Sequence, residues 1–312
     1  MNHRTIPGTG LKVSELGLGC NNFGWKLDQA GTTEVVRAAL EAGISFYDTA
    51  DIYDRGNSEI MLGKALEGSR QSVIIASKFG GSMGEGPNDK GAGRKHIIEA
   101  CEASLMRLNT DYLDLYQLHF PDDSTPLEET IRALDDLQRA GKIRYFGHSN
   151  FEAWRVVEAD WIAREIGSSR FVTAQNQYSL LERLPEKELI PVLEKKTIGL
   201  LPYFPLASGL LTGKYRRGES APQDSRAVVW KREERMLTPE NFDRLDALTD
   251  FADEHGMSIL DLAFAYLLSQ PLVPSVIAGA TSREQITANA AACERRLSQS
   301  DLEDLEKLLE AL

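Results

Sequence analysis

The segment LDLYQLHFPDDSTPLEETIRALDDLQRAGKIRYFG, residues 113–147, contains the repeating unit from which the fold can be deduced. It opens with a short apolar run, Leu113–Leu118, and closes with a second one, Tyr145–Gly147. Between them, residues 125–128 (TPLE) have the spacing of a helix capping box with proline at the first helical position, and Gly141 marks the end of that helix. The segment therefore predicts a strand, a helix and a second strand.

Short apolar runs of the same kind recur along the whole chain. Most lack the alternation of a half-exposed strand, which indicates a parallel sheet buried on both faces. The eight predicted strands are Leu16–Gly19, Ile44–Tyr47, Val73–Ser77, Leu113–Leu118, Tyr145–Gly147, Val172–Ala174, Gly199–Pro202 and Val276–Ala278. Eight βα units with right-handed crossovers favour an α/β fold, a (β/α)8 TIM barrel, which typically needs ~250 residues.

Amphipathic stretches between these strands predict the helices. One such stretch is Thr33–Ala42. Ser258 is placed to cap a helix that runs through Leu268, and Ser300 with Glu303 is placed to cap the last helix of the chain.

The remaining residues are predicted to extend one barrel domain that spans residues 1–312. A Pro-Gly-Thr-Gly turn within residues 1–15 predicts an N-terminal β-hairpin that closes the barrel floor. The polar segment 207–257 follows the seventh strand and contains an expected extra helix at Pro239–Glu254. A further extra helix is expected at the C-terminus. The glycine-rich segment 80–93 is expected to be a mobile loop over the barrel mouth.

A doubly wound sheet is the alternative layout for repeated βα units. Its dinucleotide-binding form carries G-x-G-x-x-G after the first strand. Residues 17–24 read GLGCNNFG, with the third glycine two positions late. The fingerprint fails, and the barrel is the better interpretation.

Composition excludes several classes of protein. A chain that is 42% hydrophobic and 26% charged is neither disordered nor fibrous. Lys and Arg number 35 against 47 Asp and Glu, and the net charge of −12 argues against a nucleic-acid-binding surface. The N-terminus lacks an apolar signal core and no apolar run is long enough for a membrane span, so we expect a cytoplasmic protein with no membrane partner.

Cysteine and histidine usage gives two further expectations. Cys20, Cys101 and Cys293 are far apart in the chain, which is typical of a reducing compartment. The five histidines show neither an H-x-H nor an H-E-x-x-H pair, so no metal site is expected.

Polar and aromatic residues occupy the ends of the predicted strands, where barrel enzymes place their chemistry. From the second strand to the seventh these residues are Asp48 with Tyr53, Lys78, His119, Ser149 with Asn150, Gln175 with Asn176, and Tyr203, while the eighth strand ends in Gly279.

The side chains of four of these residues, Asp48, Tyr53, Lys78 and His119, can act together in one proton transfer. A tyrosine in water has a pKa near ~10 and is a weak acid at neutral pH, but a lysine ammonium beside it stabilises the phenolate. Lys78 would supply this charge to Tyr53, and Asp48 would keep Lys78 protonated. His119 can donate a hydrogen bond to a carbonyl oxygen. Such a site protonates a developing alkoxide but has no electrons to give, so a cofactor must supply hydride.

Several motifs then resemble those of the aldo-keto reductase superfamily, in order and at family spacing from about residue 3 to residue 292. They are DTADIY at 48–53, SK at 77–78, YQLH at 116–119, GHSN at 147–150, QNQY at 175–178 and GLLTGKY at 209–215. The pattern is most similar to the bacterial and potassium-channel β-subunit-like branch.

The resemblance implies an NADPH-dependent reductase of aldehydes and ketones on a (β/α)8 barrel, with NADH a less favoured cofactor. Tyr53 would be the general acid, Lys78 and Asp48 would tune it, and His119 would orient the carbonyl. The residues implied for the cofactor are Ser149, Asn150, Gln175, Tyr203, Leu206, Ser208, Gly209, Leu211, Lys214, Gly279, Thr281, Arg283, Gln285 and Asn289.

One position departs from the family pattern. Many members carry an arginine that grips the 2′-phosphate where this chain has Gln285. A basic residue elsewhere would have to take over that role, and the candidates are Lys214, Arg216, Arg217, Arg226 and Arg283.

The expected substrate pocket is aromatic, which favours apolar or aromatic aldehydes over sugars. Its expected walls, besides Tyr53, are Trp25, Phe79, Phe120, Phe204 and Trp230.

Two functions stay open at this stage. One is a reversible carbonyl reductase acting on a small-molecule substrate. The other is an NADPH-binding regulatory or sensor subunit with slow turnover, as the resemblance to channel β-subunits allows. A hydrolase or lyase is less consistent with the residues because no nucleophile–base pair is evident. The sequence gives no indication of an oligomeric state.

Overall fold

The predicted barrel is present in a computed structural model, which describes residues 1–223 and 225–312. Its eight strands are all parallel to their neighbours and follow one another around the sheet in chain order. They are β3 (Leu16–Gly19), β4 (Phe46–Asp48), β5 (Ile74–Phe79), β6 (Leu113–Leu118), β7 (Ile143–Ser149), β8 (Thr173–Gln175), β9 (Gly199–Leu200) and β10 (Val276–Gly279).

The sheet curls so that its first and last members meet. β10 pairs with β3 in register, with Val276 opposite Leu16. On its other side, the Ile277 N–H donates to the Pro202 carbonyl just beyond β9, at 3.3 Å. The predicted (β/α)8 architecture is therefore confirmed.

Twelve α-helices surround this sheet in the described part of the chain. They are α1 (Gln29–Glu41), α2 (Asn57–Ala65), α3 (Arg94–Leu108), α4 (Leu127–Arg139), α5 (Ala153–Glu165), α6 (Leu189–Lys196), α7 (Arg226–Val229), α8 (Glu233–Met236), α9 (Pro239–Glu254), α10 (Ile259–Ser269), α11 (Arg283–Ala292) and α12 (Gln299–Ala311). The extra helix expected after the seventh strand is α9, with the predicted bounds.

The N-terminal hairpin closes the barrel floor, as predicted. β1 (His3–Thr5) and β2 (Lys12–Ser14) are antiparallel. Ile6 and Val13 of this hairpin are fully buried and pack with barrel-interior residues such as Phe46 and Leu115. The floor is therefore filled with apolar side chains, and only the opposite end of the barrel is open to a ligand.

Several predicted helix boundaries are wrong. Thr125 does not cap α4, because its hydroxyl donates to Asp122 instead, at 2.8 Å. The last helix is capped by a Ser298–Asp301 capping box, two residues before the predicted pair. α1 begins four residues early because Asp28 accepts from the Gly31 N–H. The capping box at Ser258, by contrast, is confirmed, with Asp261 as its partner.

The glycine-rich loop of residues 80–93 is tied to a neighbouring loop. The Asp122 carboxylate accepts a hydrogen bond from the Ala92 N–H at 2.7 Å. Residues 80–93 are all described, and none of them lines the central cavity. A Cβ added at Gly81 would meet Ile52, which lines the cavity, so the loop begins beside the barrel mouth, and its expected position over the mouth stays a prediction.

Helices α2 and α3 approach so closely that Gly63 has no room for a side chain. A Cβ added at Gly63 would lie 2.6 Å from the backbone oxygen of Leu108. We expect Gly63→Ala to lower the free energy of unfolding by about 1–3 kcal/mol because rigid backbone must move. Urea unfolding measures this, with Gly10→Ala as the control, since a Cβ at Gly10 meets nothing within 4 Å. Equal stability of the two variants would contradict the close contact.

Candidate active site

The ends of the barrel strands meet around one large cavity of about 1130 Å³. Asp48 ends β4, Lys78 lies near the end of β5, and His119 follows β6 directly. Tyr53 begins a short 3-10 segment, Tyr53–Gly56, that follows β4. The structure therefore brings together the four residues that the sequence placed at separate strand ends.

Lys78 lies at the centre of this group and is completely buried. Its Nζ donates to Asp48 Oδ2 at 2.6 Å and to the Thr49 carbonyl at 2.9 Å. It also lies 3.2 Å from Tyr53 Oη. The ammonium thus has three oxygen partners, one of which is the tyrosine hydroxyl that faces the cavity.

Asp48 is held from its other side by two amides. Asp48 Oδ1 accepts from Gln175 Nε2 at 2.9 Å and from Gln117 Nε2 at 3.4 Å. The Thr173 hydroxyl donates to Gln117 Oε1 at 3.2 Å. The carboxylate is fixed by three strands besides its own, which keeps its charge directed at Lys78.

The pKa of the Lys78 ammonium is raised although burial lowers it. The nearby Asp48 charge, helped by Tyr53, outweighs the loss of water. Lys78 is therefore cationic at neutral pH.

The pKa of the Tyr53 phenol lies above its ordinary value. Burial raises it most, the Lys78 charge lowers it, and the Asp48 charge raises it again. Lys78 therefore stabilises the phenolate, as the sequence predicts, but burial outweighs this effect and Tyr53 is protonated at neutral pH.

His119 is neutral at physiological pH. Burial, followed by the positive charge of Lys78, lowers the pKa of its imidazole well below the usual range. Its ring stacks on Phe120, with centroids 4.3 Å apart, and meets Tyr53 edge-on at 5.8 Å. Among the described residues, Nδ1 has no hydrogen-bond partner. A neutral imidazole in this place can donate one hydrogen bond to a ligand beside Tyr53.

A polar platform lies next to this group. Tyr203 Oη donates to Asn150 Oδ1 at 2.8 Å. Asn150 Nδ2 donates to the His119 carbonyl and to Ser149 Oγ, each at 3.0 Å. Ser149 Oγ donates to the Gln175 carbonyl at 2.7 Å. These bonds connect four strand ends and fix the side chains of Ser149, Asn150 and Tyr203 before any ligand arrives.

The opposite end of the cavity is lined by cations and glycines. A Cβ at Gly279 would lie 3.2 Å from Asn22 Nδ2 and 3.5 Å from Arg226 Nη2. Gly209 has a φ of +104°, and a Cβ added there would lie 3.0 Å from Lys214 Nζ. The absence of side chains here leaves a cradle beside two cations, which fits an elongated ligand with phosphate groups.

Arg226 is held by aromatic faces. Its guanidinium lies 5.5 Å from the Phe204 ring centroid and 5.3 Å from that of Trp230. No carboxylate within residues 1–223 and 225–312 forms an ion pair with it, and burial lowers the pKa of its guanidinium. A positive charge held this way at a cavity wall is available to an anion.

Most of the predicted site residues line the cavity. Besides Asp48, Tyr53 and His119, they are Trp25, Phe120, Ser149, Asn150, Gln175, Tyr203, Phe204, Leu206, Ser208, Gly209, Lys214, Gly279, Thr281, Gln285 and Asn289.

Four other predicted residues lie elsewhere. Phe79 is fully buried and packs on Tyr116, because it follows Lys78 on β5 and so points away from the barrel axis. Leu211 is likewise buried in the core. Trp230 lies behind Phe204 and Arg226 and does not line the cavity itself.

Arg283 is the fourth displaced residue. Its guanidinium pairs with Glu34 at 2.7 Å and with Glu41 at 2.5 Å, both on α1. These ion pairs hold it against α1, and it does not line the cavity.

The sequence analysis missed the contribution of the first strand. Asn21 and Asn22 follow β3 and line the cavity. Asn22 Nδ2 donates to the Ala280 carbonyl at 3.3 Å, and its buried Oδ1 has no partner among the described residues. Both lie just after the first predicted strand, so the pattern used for the other strands would identify them as well.

The described residues contain neither a membrane-spanning helix nor a metal-binding cluster. None of the described helices has both the length and the apolar character that crossing a membrane requires. No group of three or more His, Cys, Asp or Glu side chains within residues 1–223 and 225–312 is placed to hold a metal ion.

The comparisons with known proteins agree on the family of this chain. A profile described as "Aldo/keto reductase family" matches residues 15–310. The chain is 38% identical over 296 residues to a probable voltage-gated potassium channel subunit beta of Arabidopsis thaliana, covering 93% of this chain and 90% of that protein. It is 37% identical over 338 residues to Protein tas of Escherichia coli, covering 98% and 97%. It is 31% identical over 333 residues to versiconal hemiacetal acetate reductase of Aspergillus parasiticus, covering 98% and 96%.

The buried Lys78–Asp48 pair yields a stability prediction. We expect Lys78→Met to lower the free energy of unfolding by about 3–5 kcal/mol, since it leaves Asp48 charged and buried without its cation. Urea unfolding of the variant measures this loss. The double variant Lys78→Met with Asp48→Asn is the control and should recover part of it. A single variant within about 1 kcal/mol of the wild type would contradict the pairing.

Proposed function

Since this chain belongs to the aldo/keto reductase family and is therefore an oxidoreductase that acts on carbonyl groups, we propose that it uses NADPH to reduce aldehydes or ketones to alcohols, reversibly. The observation that carries this proposal is the contact of the buried Lys78 ammonium with both Asp48 and the hydroxyl of Tyr53. That arrangement places a protonated hydroxyl at the cavity wall with a fixed positive charge behind it.

Tyr53 is the proton donor of the proposed mechanism. Its raised pKa keeps the phenol protonated at neutral pH, so the proton is present when a carbonyl substrate binds. When negative charge develops on the carbonyl oxygen, Tyr53 gives up this proton. The resulting phenolate is stabilised by the Lys78 ammonium, and Asp48 holds that ammonium in place.

His119 orients the substrate in this mechanism. Being neutral, its imidazole donates one hydrogen bond to the carbonyl oxygen without competing with Tyr53 as a strong acid. Its ring is fixed between Phe120 and Tyr53, so the bond has a set direction.

The cofactor would lie along the cavity between the platform and the cations. When bound, its nicotinamide supplies the hydride that none of these side chains can provide. Ser149, Asn150 and Gln175 would hold the carboxamide, and Tyr203 would stack on the ring. The strap residues Leu206, Ser208 and Gly209 with Lys214 would enclose the pyrophosphate. Gly279, Thr281, Gln285 and Asn289 would hold the adenosine end.

The preference for NADPH rests on which cation meets the 2′-phosphate. Gln285 Oε1 already accepts from the Thr281 N–H at 2.8 Å, and Arg217 pairs with Asp243 and Asp246. Lys214 and Arg226 line the cavity and remain the best placed of the candidate cations. We favour Arg226, whose guanidinium can bind a phosphate in a bidentate manner.

The substrate proposed for this site is an apolar or aromatic aldehyde. Trp25, Phe120 and Phe204 line the cavity, and Trp25 and Phe120 keep 42% and 45% of their surfaces exposed. Such partly exposed rings can be covered by an apolar substrate, which would gain from leaving water.

A slow-turnover regulatory or sensor function is the second candidate. It is favoured by the similarity to proteins named as potassium channel β-subunits. The two candidates differ in turnover, because a sensor releases its cofactor slowly. NADPH consumption with 4-nitrobenzaldehyde decides between them: many turnovers per protein favour the reductase, while tight NADPH binding with no second turnover favours the sensor.

Removing the Tyr53 hydroxyl tests the proposed acid. We expect Tyr53→Phe to lower the rate of aldehyde reduction by at least about 100-fold, the scale of lost acid catalysis, while NADPH affinity changes little. Steady-state kinetics and cofactor fluorescence titration measure the two effects. Tyr112→Phe is the matched control, since its hydroxyl bonds exposed Gln71, at 3.4 Å, and does not line the cavity. Retained turnover in Tyr53→Phe would remove Tyr53 from this role.

Replacing Arg226 by alanine tests how the protein selects between NADPH and NADH. We expect Arg226→Ala to weaken NADPH binding by about tenfold or more, the loss of one charge-assisted contact, and NADH binding by less. Arg283→Ala is the matched control and should change neither affinity, because Arg283 already pairs with Glu34 and Glu41. Equal losses of NADPH and NADH in Arg226→Ala would exclude a 2′-phosphate contact.

A further inference from the structure

A second buried polar cluster lies behind Tyr53, and the proposed mechanism does not use it. Asp51 stands two residues before Tyr53 and is fully buried. No side chain among residues 1–223 and 225–312 donates to its carboxyl oxygens, and the nearby Ile52 N–H, which favours the ionised form, lies outside good hydrogen-bond geometry. A carboxylate with no partner and no water is costly, so this residue calls for an explanation.

The charged groups around Asp51 come from four elements. Glu59 of α2 and Arg107 of α3 face it, together with Lys78 of β5. The charge of Asp51 also contributes to the raised pKa of Tyr116 of β6. The Tyr116 hydroxyl is itself buried and unpartnered within the described chain.

Both cations near Asp51 already form ion pairs with other carboxylates. Lys78 donates to Asp48, and Arg107 Nε donates to Glu59 Oε2, each at 2.6 Å. Glu59 Oε1 also accepts from the Ser77 hydroxyl at 2.5 Å. Three buried carboxyl groups therefore share two cations, and Asp51 is the one that neither cation contacts.

We propose that Asp51 is a neutral carboxylic acid in the folded protein and, in that form, a positioning residue for Tyr53. This inference concerns the site of the proposed reductase and rests on that function for its kinetic part. Ionisation of Asp51 would drive its side chain towards water and shift the turn that carries Tyr53.

The turn has several connections that would transmit such a shift. The Asp51 N–H donates to the Lys78 carbonyl at 3.2 Å, and the Tyr53 N–H donates to the Ala50 carbonyl at 3.2 Å. The Thr49 carbonyl between Asp48 and Asp51 accepts from Lys78 Nζ. Displacing Asp51 therefore moves the backbone that leads into Tyr53 and alters a ligand of the ammonium.

The chain is also constrained after Tyr53. Asp54 and Arg55 have φ values of +47° and +53°, a left-handed conformation that is strained for residues with side chains. Gly56 follows at φ +90°, and a Cβ there would lie 2.6 Å from Arg107 Cδ. Arg107 thus covers the end of the Tyr53 segment while it pairs with Glu59. The tyrosine is held between a strained turn and the Asp51 cluster.

The electrostatics agree with this geometry. Burial, and then the charge of Glu59, raises the pKa of Asp51 to about 7. In the unfolded chain an aspartate ionises near pH ~4. A group whose pKa is raised on folding stabilises the fold below its unfolded pKa, and this contribution is lost as the pH rises through the folded pKa. The stability due to Asp51 should therefore decline between about pH 4 and pH 7.

Asp51→Asn tests the protonation state without any substrate. The amide mimics the neutral acid, so the variant should gain stability relative to the wild type as the pH rises from 4 to 7, with a constant difference above that. Urea unfolding across this pH range gives the difference. A wild type that instead gains stability relative to Asp51→Asn over the same range would overturn the proposal, since that is the behaviour of a paired carboxylate.

Asp122→Asn is the matched control for this measurement. Hydrogen bonds from Ser124, Ala92 and Thr125 hold the pKa of Asp122 at about 2, although burial opposes them. Its stability contribution is present above pH 4 and lost only as the pH falls through 2. The difference between Asp122→Asn and the wild type should therefore not change between pH 5 and pH 8, whereas the difference for Asp51→Asn should.

The positioning role is tested by the pH dependence of the carbonyl reduction rate. We expect the ratio of the Asp51→Asn rate to the wild-type rate to rise about tenfold between pH 6 and pH 8, because wild-type Asp51 ionises near pH 7. Ionisation of Tyr53 and Lys78 affects both proteins and cancels in the ratio. A constant ratio, with the stability difference as expected, would overturn the positioning role. If neither protein reduces any carbonyl substrate, the proposed function fails and the positioning role fails with it, while the unfolding data still decide the protonation state.

Discussion

The rest of the site depends on the ion pair between Lys78 and Asp48 at the base of the cavity. Neither charge could be buried alone, since each would cost several kcal/mol without its partner. The pair forms only because β4 and β5 are neighbours in a parallel sheet and both residues lie at the same edge. Amides from β6 and β8 complete the coordination of the carboxylate. Closure of the barrel is thus what makes a buried lysine possible, and this lysine in turn fixes Tyr53.

The cavity divides into two electrostatic environments around this pair. At one end, neutral His119 lies edge-on to Tyr53 and stacks on Phe120. The other end carries Lys214 and Arg226 beside glycines without side chains. A protein of net charge −12 therefore concentrates positive charge where an anionic ligand would lie. This local field suits a phosphate-bearing cofactor bound beside an apolar substrate.

Sequence reasoning succeeded where periodicity sets the geometry. Strands β3 and β6 and helix α9 have the predicted bounds, since apolar runs and the proline and threonine at the start of α9 mark them clearly. It failed where two local signals compete. Ser298 and Ser300 both can cap a helix, and Thr125 had a second acceptor in Asp122. It failed at Phe79 because the alternation along β5 was not followed past Lys78.

By itself the sequence determined the barrel and the residues at its strand ends, because burial and strand direction follow from local patterns. It also determined the family, since the motifs keep their order and spacing. Only the tertiary structure decided the pKa of Tyr53, the pairing of Arg283 with α1 and the isolation of Asp51 from cations. These properties depend on distances and water exclusion between residues far apart in the chain, and no local pattern encodes them.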